Sequence, residues 1–175
     1  MLIDELKNIA RNNGIVGAGG AGFPAYAKMT EKADTVILNC VECEPLLKLH
    51  RQLLATHTEE IIQMLDEVRE SFGAKEAVIG IKSEYVTTIK AIEEVIGDFP
   101  NVRICALKAA YPMGDEVVLI YEATGRVIKP GGLPIDENVV VYNVETMYNL
   151  YRAVHLNIPV TNKLVSIVGE IDHPL

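Results

Sequence analysis

No run in this 175-residue chain approaches the roughly 18 consecutive apolar residues that a membrane-spanning helix requires, although 49% of its residues are hydrophobic. The apolar residues are spread through short stretches, enough for the core of one domain. Cysteine is scarce. Cys40, Cys43 and Cys105 cannot build a disulfide framework, fall short of the four thiolates of an iron–sulfur cluster, and fit a reducing compartment. The N-terminal MLIDELKNIARNN is charged and amphipathic, unlike a secretory signal, so the expectation is a cytoplasmic protein that is not integral to a membrane. Basic stripes are missing as well: Lys and Arg are scattered and the net charge is -8, which argues against a nucleic-acid partner but leaves local anion binding by backbone amides open. There is no internal repeat, low-complexity tract, Ser-His-Asp arrangement or nucleophile elbow.

What the chain does have is glycine in one place. The stretch GAGGAGFPAYAKM, from Gly17 to Met29, carries Gly17, Gly19, Gly20 and Gly22, and Lys28 follows. Glycine allows positive φ and brings backbone amides close to a bound group, because no Cβ intervenes. Such loops hold anions. If Phe23-Pro24-Ala25 opens a helix, its N-terminal dipole adds to those amides, and Lys28 can neutralise a phosphate. Gly17, Gly19 and Gly22 match G-x-G-x-x-G literally. The dinucleotide fingerprint, however, requires a preceding strand, and only Ile15-Val16 separates the glycines from a helical pattern, so an ordinary Rossmann reading is rejected. The plain alternative is a turn between helices.

The remaining chain alternates. Leu2, Ile3, Leu6, Ile9 and Ala10 recur at helical spacing, ended by Asn12-Asn13-Gly14. Residues 35–39 are a β-branched run with a polar carboxyl end, which in open α/β sheets faces the ligand. A long amphipathic pattern predicts one helix over 51–72, closed by Gly73. Strands follow at 77–81 and 102–107, with a helix over 86–96 capped by Gly97 between them. Gly114-Asp115-Glu116 opens a further helical run that Gly125 stops, with acidic residues suited to the helix dipole. The segment 129–134, KPGGLP, reads as an irregular surface excursion. A strand over 139–142 leads into a helix that begins at Asn143, and the run 164–168 reads as a last strand, with Ile171 beyond Gly169. The expected class is α/β, a mostly parallel sheet with helices on both faces.

Three more stretches converge with the glycine loop at the strand ends: NCVECEP (39–45), YPMGDE (111–116) and YNVET (142–146). Any one of them suits a capping motif, but four around one crevice favour a site. Cys40 and Cys43 have CxxC spacing, yet His50, His57, His155 and His173 show no ligand pairing, so both cysteines read as ordinary loop and core residues. His50 and His57, seven apart on a helical pattern, are expected on a solvated face. Glu42 and Glu44 would project to one side of an extended loop, either to orient a ribose or cofactor amide or simply to be solvated.

Together, GAGGAGFPAYAKM, NCVECEP, YPMGDE, KPGGLP and VYNVET resemble the flavin-binding domain shared by the flavin subunit of complex I (NuoF-like) and the RnfC proteins of Rnf complexes. Within that family the pattern is most similar to cobalamin reductases of the PduS type, where a YPxGDE stretch also occurs. The resemblance implies a modified Rossmann-like three-layer domain over residues 1–163, with the Gly-rich loop between helices. Residues 164–175 would then begin a truncated, ubiquitin-like ligand-binding β domain. It further implies an FMN-binding electron-transfer module of an NADH-dependent oxidoreductase, passing electrons from NADH through FMN to 4Fe-4S clusters outside this fragment, in a downstream domain or a partner redox subunit. Any membrane association would be peripheral, through a complex. The resemblance assigns Gly17, Gly19, Lys28, Asn39, Glu42, Cys43, Tyr111, Gly114, Glu116, Asn143 and Thr146 to the cofactor, and Phe23, Glu44 and Lys129 to NADH. No side chain is assigned the hydride chemistry, which belongs to the flavin. Three departures are visible: Ala18 stands where the complex I pattern has arginine, Val41-Glu42-Cys43 stands where it has Asp-Glu-Ser, and no aromatic residue follows the KP turn. The alternative is a non-catalytic nucleotide- or phosphate-binding module without the hydride path.

Overall fold

The computed structural model describes every residue except Ile171, His173, Pro174 and Leu175. The expectations for Ile171 and His173 lie outside the described residues.

Four parallel strands, β1 (Thr35–Cys40), β2 (Glu76–Lys82), β3 (Val102–Leu107) and β4 (Val139–Asn143), form one sheet in the order β3-β2-β1-β4. Their alternating side chains divide two cores, as the period of two along a strand demands. On one face Val36, Leu38, Ala77, Ile79 and Val140 pack against α1 (Ile3–Asn12), α2 (Leu49–Thr56), α3 (Thr58–Phe72), α4 (Val86–Val95) and α6 (Val144–Leu156). On the other, Ile37, Val78, Val139 and Val141 meet α5 (Glu116–Thr124) through Leu119, Ile120 and Ala123, with Ile128 beside them. The result is the expected α/β three-layer domain, with, among the described residues, five α-helices on one side and one on the other.

The two helix stops at Gly73 and Gly125 are as expected, both left-handed at φ 68° and 74°. The start of α5 also follows the sequence, for Asp115 caps it by accepting from the amides of Val117 and Val118 at 3.0 and 3.2 Å.

Several expectations need correction. Residues 51–72 are not one helix but α2 and α3, broken at His57, whose ψ is 44°. A single-residue break leaves Leu54 and Ile61 buried on one face, so the apolar period does not register it. Gly97 does not cap α4; it lies inside a 3-10 turn, Ile96–Asp98, that continues the helix. Phe23-Pro24-Ala25 opens only a four-residue 3-10 turn, Ala25–Lys28, too short to present a helix dipole. The glycine loop therefore runs from α1 to that turn, closed by a bridge between Val16 and Pro24. In the KPGGLP excursion Pro134–Glu137 forms another 3-10 turn.

The run 164–168 forms no strand, and Val165 is 62% exposed. Sequence alternation reports a strand's faces but not whether a partner edge exists. The chain leading up to it is instead strapped to the helical layer: Val160 N–H donates to Asn13 O at 3.0 Å, and Leu164 N–H to Glu145 Oε1 at 3.1 Å.

Among the described residues no helix is long and apolar enough to cross a membrane.

Gly80 explains how α5 lies so close to β2. A Cβ there would stand 2.6 Å from Leu119 Cδ1. Gly80→Val should therefore overpack this layer and cost about 1–3 kcal/mol, read as a lower urea midpoint with an unchanged slope.

Candidate functional site

In the strand order β3-β2-β1-β4, the chain leaves β1 on one side and returns as β4 on the other, so the carboxyl ends of β1 and β4 form a topological switch point, where open α/β sheets bind ligands. The parallel register places Asn39 beside Asn143 at that point. A cleft of about 210 Å³ opens there, and Gly17, Gly19, Phe23, Lys28, Asn39, Glu116, Asn143 and Thr146 line it together with Ala21, Ala25, Val141 and Tyr142.

Its walls are held by a few cross-chain hydrogen bonds. Ala18 N–H donates to Thr146 Oγ1 at 2.9 Å, tying the glycine loop to the first turn of α6. Gly17 N–H donates to Phe23 O at 2.7 Å, but the amides of Gly19, Gly20, Ala21 and Gly22 find no protein acceptor among the described residues. Asn39 spans β1 and the turn before α5: its Nδ2 donates to Gly114 O at 3.0 Å and its Oδ1 accepts from Val41 N–H at 3.0 Å. Asn143 caps α6, its Oδ1 accepting from Glu145 N–H at 2.9 Å. Thus a 13-residue helix points its N-terminus at the cleft, as the sequence predicts. Lys28 Nζ reaches Glu116 Oε2 at 3.4 Å and Val141 O at 3.3 Å. Those long contacts leave the ammonium free to turn to an anion, with Phe23 beside it at 6.0 Å from the ring centre.

Not every expected residue joins the cleft. Glu42 is buried and turned away from it, accepting from the backbone N–H of His50 at 2.8 Å through Oε1 and lying 3.7 Å from Arg51 Nε through Oε2. The loop 41–44 is not extended outward here but folds under α2, so Glu42 and Glu44 do not share a side: Glu44 is exposed. Cys43 and Gly114 pack on each other behind the cleft wall, where a Cβ on Gly114 would come 2.1 Å from Val41 O and 2.8 Å from Cys43 Sγ. Gly114 is thus demanded by backbone packing. Tyr111 is 82% exposed, and Lys129 is exposed on the surface excursion; neither lines the cleft.

The cysteines behave as core and loop residues. Cys40 is fully buried and burial raises its thiol pKa, so it stays protonated. Among the described residues no group of three or more His, Cys, Asp or Glu side chains is placed to hold a metal ion.

Sequence reasoning missed a group just behind the cleft. His50 is not on a solvated face: it is half-buried, and Asn143 Nδ2 lies 3.1 Å from its Nε2. His57 is also half-buried, stacked on Tyr148 at 4.3 Å between ring centres. Glu145 is buried, with Lys163 Nζ on one carboxylate oxygen and Leu164 N–H on the other. Only tertiary packing brings these residues together, and no local motif marks them. A wider groove of about 420 Å³ lies between α2 and the turn into α4, lined by Lys48, Arg51, Glu84 and Tyr85 among others, away from the glycine loop.

Comparison with known proteins places this geometry. The family model described as the Nuo51 FMN-binding domain matches residues 10–152. Cobalamin reductase PduS of Citrobacter freundii is 38% identical over 170 residues, which covers 97% of this chain and 37% of the relative. A component of the Na(+)-translocating ferredoxin:NAD(+) oxidoreductase complex of Acetobacterium woodii is 33% identical over 171 residues, covering 95% of this chain and 39% of that component. The chain thus spans less than two fifths of these relatives. Among solved structures, a chain of an NAD+-reducing NiFe hydrogenase in the H2-reduced state superposes with a TM-score of 0.74 at 25% identity, covering 87% of this chain and 30% of that one. The chain belongs to the Nuo51 FMN-binding domain family.

The crowding at Gly114 separates packing from ligand contact. Gly114→Ala should destabilise the ligand-free chain by about 1–3 kcal/mol in chemical denaturation, because the displaced atom is a backbone oxygen that cannot rotate away.

Proposed function

We propose that this Nuo51-type domain holds FMN in the cleft between the glycine loop, the ends of β1 and β4 and the start of α5, and serves as the flavin module of an NADH-dependent oxidoreductase. The observation that carries this reading is that Gly19 and Ala21, whose amides find no protein acceptor among the described residues, line the same cleft as Lys28 and as Asn143 and Thr146 at the α6 N-terminus. That donor set suits one phosphate. The cleft volume of about 210 Å³ falls below the roughly 300–1,000 Å³ of pockets that enclose a drug-sized ligand, so a mononucleotide would keep one side exposed, as exchange with a second substrate requires.

In this reading Gly17 and Gly19 let the backbone approach the cofactor, and Lys28, Asn143 and Thr146 hold its anionic end. Asn39 is fixed by two hydrogen bonds and so presents one amide orientation, while Glu116 balances Lys28 when no anion is present. Bound FMN would supply hydride acceptance and single-electron release, which no side chain offers. Iron–sulfur clusters in a downstream domain or partner subunit would accept those electrons, and residues 164–175 would begin the ubiquitin-like β domain that intervenes. Cys43, Tyr111 and Glu42 touch the cofactor only if their loops rearrange, for none lines the cleft. The protein works in the cytoplasm, and a complex supplies any membrane association.

One observation favours the second reading, a module that binds a nucleotide without hydride transfer: of Phe23, Glu44 and Lys129, only Phe23 reaches the cleft. Titrating FMN into the full-length protein, then adding NADH anaerobically, separates the two. Quenched flavin fluorescence followed by bleaching of the flavin bands is expected; binding without bleaching selects the second reading, and no binding at saturating FMN removes both as flavin modules. Gly19→Val should weaken FMN binding at least about tenfold with an unchanged melting temperature. The ligand-free fold has room for the new side chain, since the nearest atom to a Cβ there, Asn143 Nδ2, lies at 4.0 Å.

A further inference from the structure

The first turn of α6 carries a buried negative charge. Glu145 lies two residues after Asn143 and immediately before Thr146, both of which line the cleft, and its side chain is 3% exposed. At a rise of about 1.5 Å per residue, its Cα is displaced by no more than about 3 Å along the helix axis from either, a range at which a buried charge is poorly screened. Within the lining itself Lys28 and Glu116 already pair at 3.4 Å. Glu145 left uncompensated would make the surroundings of the cleft acidic and oppose an anion at the helix N-terminus.

The compensating charge comes from outside the helix. Asn157, left-handed at φ 54°, ends α6 and turns the chain back along it. The returning strap is fastened at Ile158, whose N–H donates to Arg152 O at 3.0 Å, at Val160, whose N–H donates to Asn13 O at 3.0 Å, and at Asn162, whose Oδ1 accepts from Arg152 at 3.3 Å. It then takes both oxygens of Glu145: Leu164 N–H donates to Oε1 at 3.1 Å and Lys163 Nζ donates to Oε2. Among the described residues Glu145 has no other ion pair, whereas Glu42, also a buried carboxylate, has Arg51 at 3.7 Å. Lys163 lies beyond residues 10–152, which match the family model. We propose that Lys163 determines the cleft's affinity and selectivity: by cancelling the charge of Glu145 it lets the α6 N-terminus accept a phosphorylated ligand, in preference to the same ligand without its phosphate. It is a positioning residue, acting through Glu145 from outside the lining.

The ligand's identity as FMN rests on the reading above; the charge compensation does not. FMN and riboflavin share the ring and the side chain and differ by a phosphate of about -1.5 to -2 charge, so they separate charge from support of the walls. In the full-length protein Lys163→Met should bind FMN roughly fivefold more weakly, by fluorescence quenching, and riboflavin with unchanged affinity. Lys163→Arg should bind both as the unmodified protein does, and adding Glu145→Gln to Lys163→Met should return the FMN affinity. If the methionine variant does not fold, Glu145→Gln alone decides: with Lys163 unopposed, FMN should bind roughly fivefold more tightly and riboflavin as before. Equal changes for FMN and riboflavin, or a loss that Glu145→Gln does not relieve, overturn the proposal.

Inorganic phosphate keeps the flavin reading apart from this role. Added in place of chloride at constant ionic strength, it should raise the melting temperature of the unmodified protein and of the double variant more than that of Lys163→Met. That pattern in a protein that does not bind FMN supports the role of Lys163 and defeats the flavin reading alone. Neither FMN binding nor that pattern overturns both.

Discussion

The parallel pairing of β1 with β4 is the constraint on which the rest of the molecule depends. It sets Asn39 beside Asn143, reverses the direction in which the sheet is wound, and so leaves a crevice at the carboxyl ends of two adjacent strands. Each of those asparagines then works in two directions. Asn39 fastens the turn before α5 to β1, and Asn143 begins α6 while facing the cleft. The pairing is itself secured at its other end, where Asp34 accepts from Arg126 at 2.6 Å and Arg126 also donates to Glu137 O at 2.7 Å. Burial alone would raise the Asp34 pKa, but the hydrogen bonds from Arg126 and Thr35 outweigh it and hold the carboxyl below its usual range. Stability from this contact is therefore present above the ordinary carboxylate pKa and lost as acid protonates Asp34.

Gly17, Gly19 and Ala21 of the glycine loop line the cleft together with Lys28, Asn39, Glu116, Asn143 and Thr146, with Lys28 as the cation among these residues. In the proposed reading an acidic chain of net charge -8 presents an anion site in this way. The field that matters is local, produced by oriented dipoles within one turn of the ligand, and the surface charge is screened over about 8–10 Å at ordinary ionic strength.

Charged groups nevertheless gather behind the wall. Glu42, Arg51, His50, Glu145 and Lys163 form a half-buried set linking the loop after β1, α2, α6 and the C-terminal strap.

By itself the sequence determined the class, the positions of β1 to β4, the caps at Asp115 and Asn143, the helix stops at Gly73 and Gly125, and the glycine loop with Lys28, because each is written in period, φ preference or side-chain capping over a few residues. It also carried Gly17, Gly19, Asn39, Glu116 and Thr146 into one predicted crevice, since strand-end polarity and family motifs both mark them. What only the tertiary structure decided are relations across the chain: the break at His57, which preserves the apolar phase; the inward turn of Glu42; Gly114 as a packing glycine against Val41; the unpaired run 164–168; and the meeting of His50 with Asn143. Local patterns record which face of an element is buried. They do not record what another element, tens of residues away, places against it.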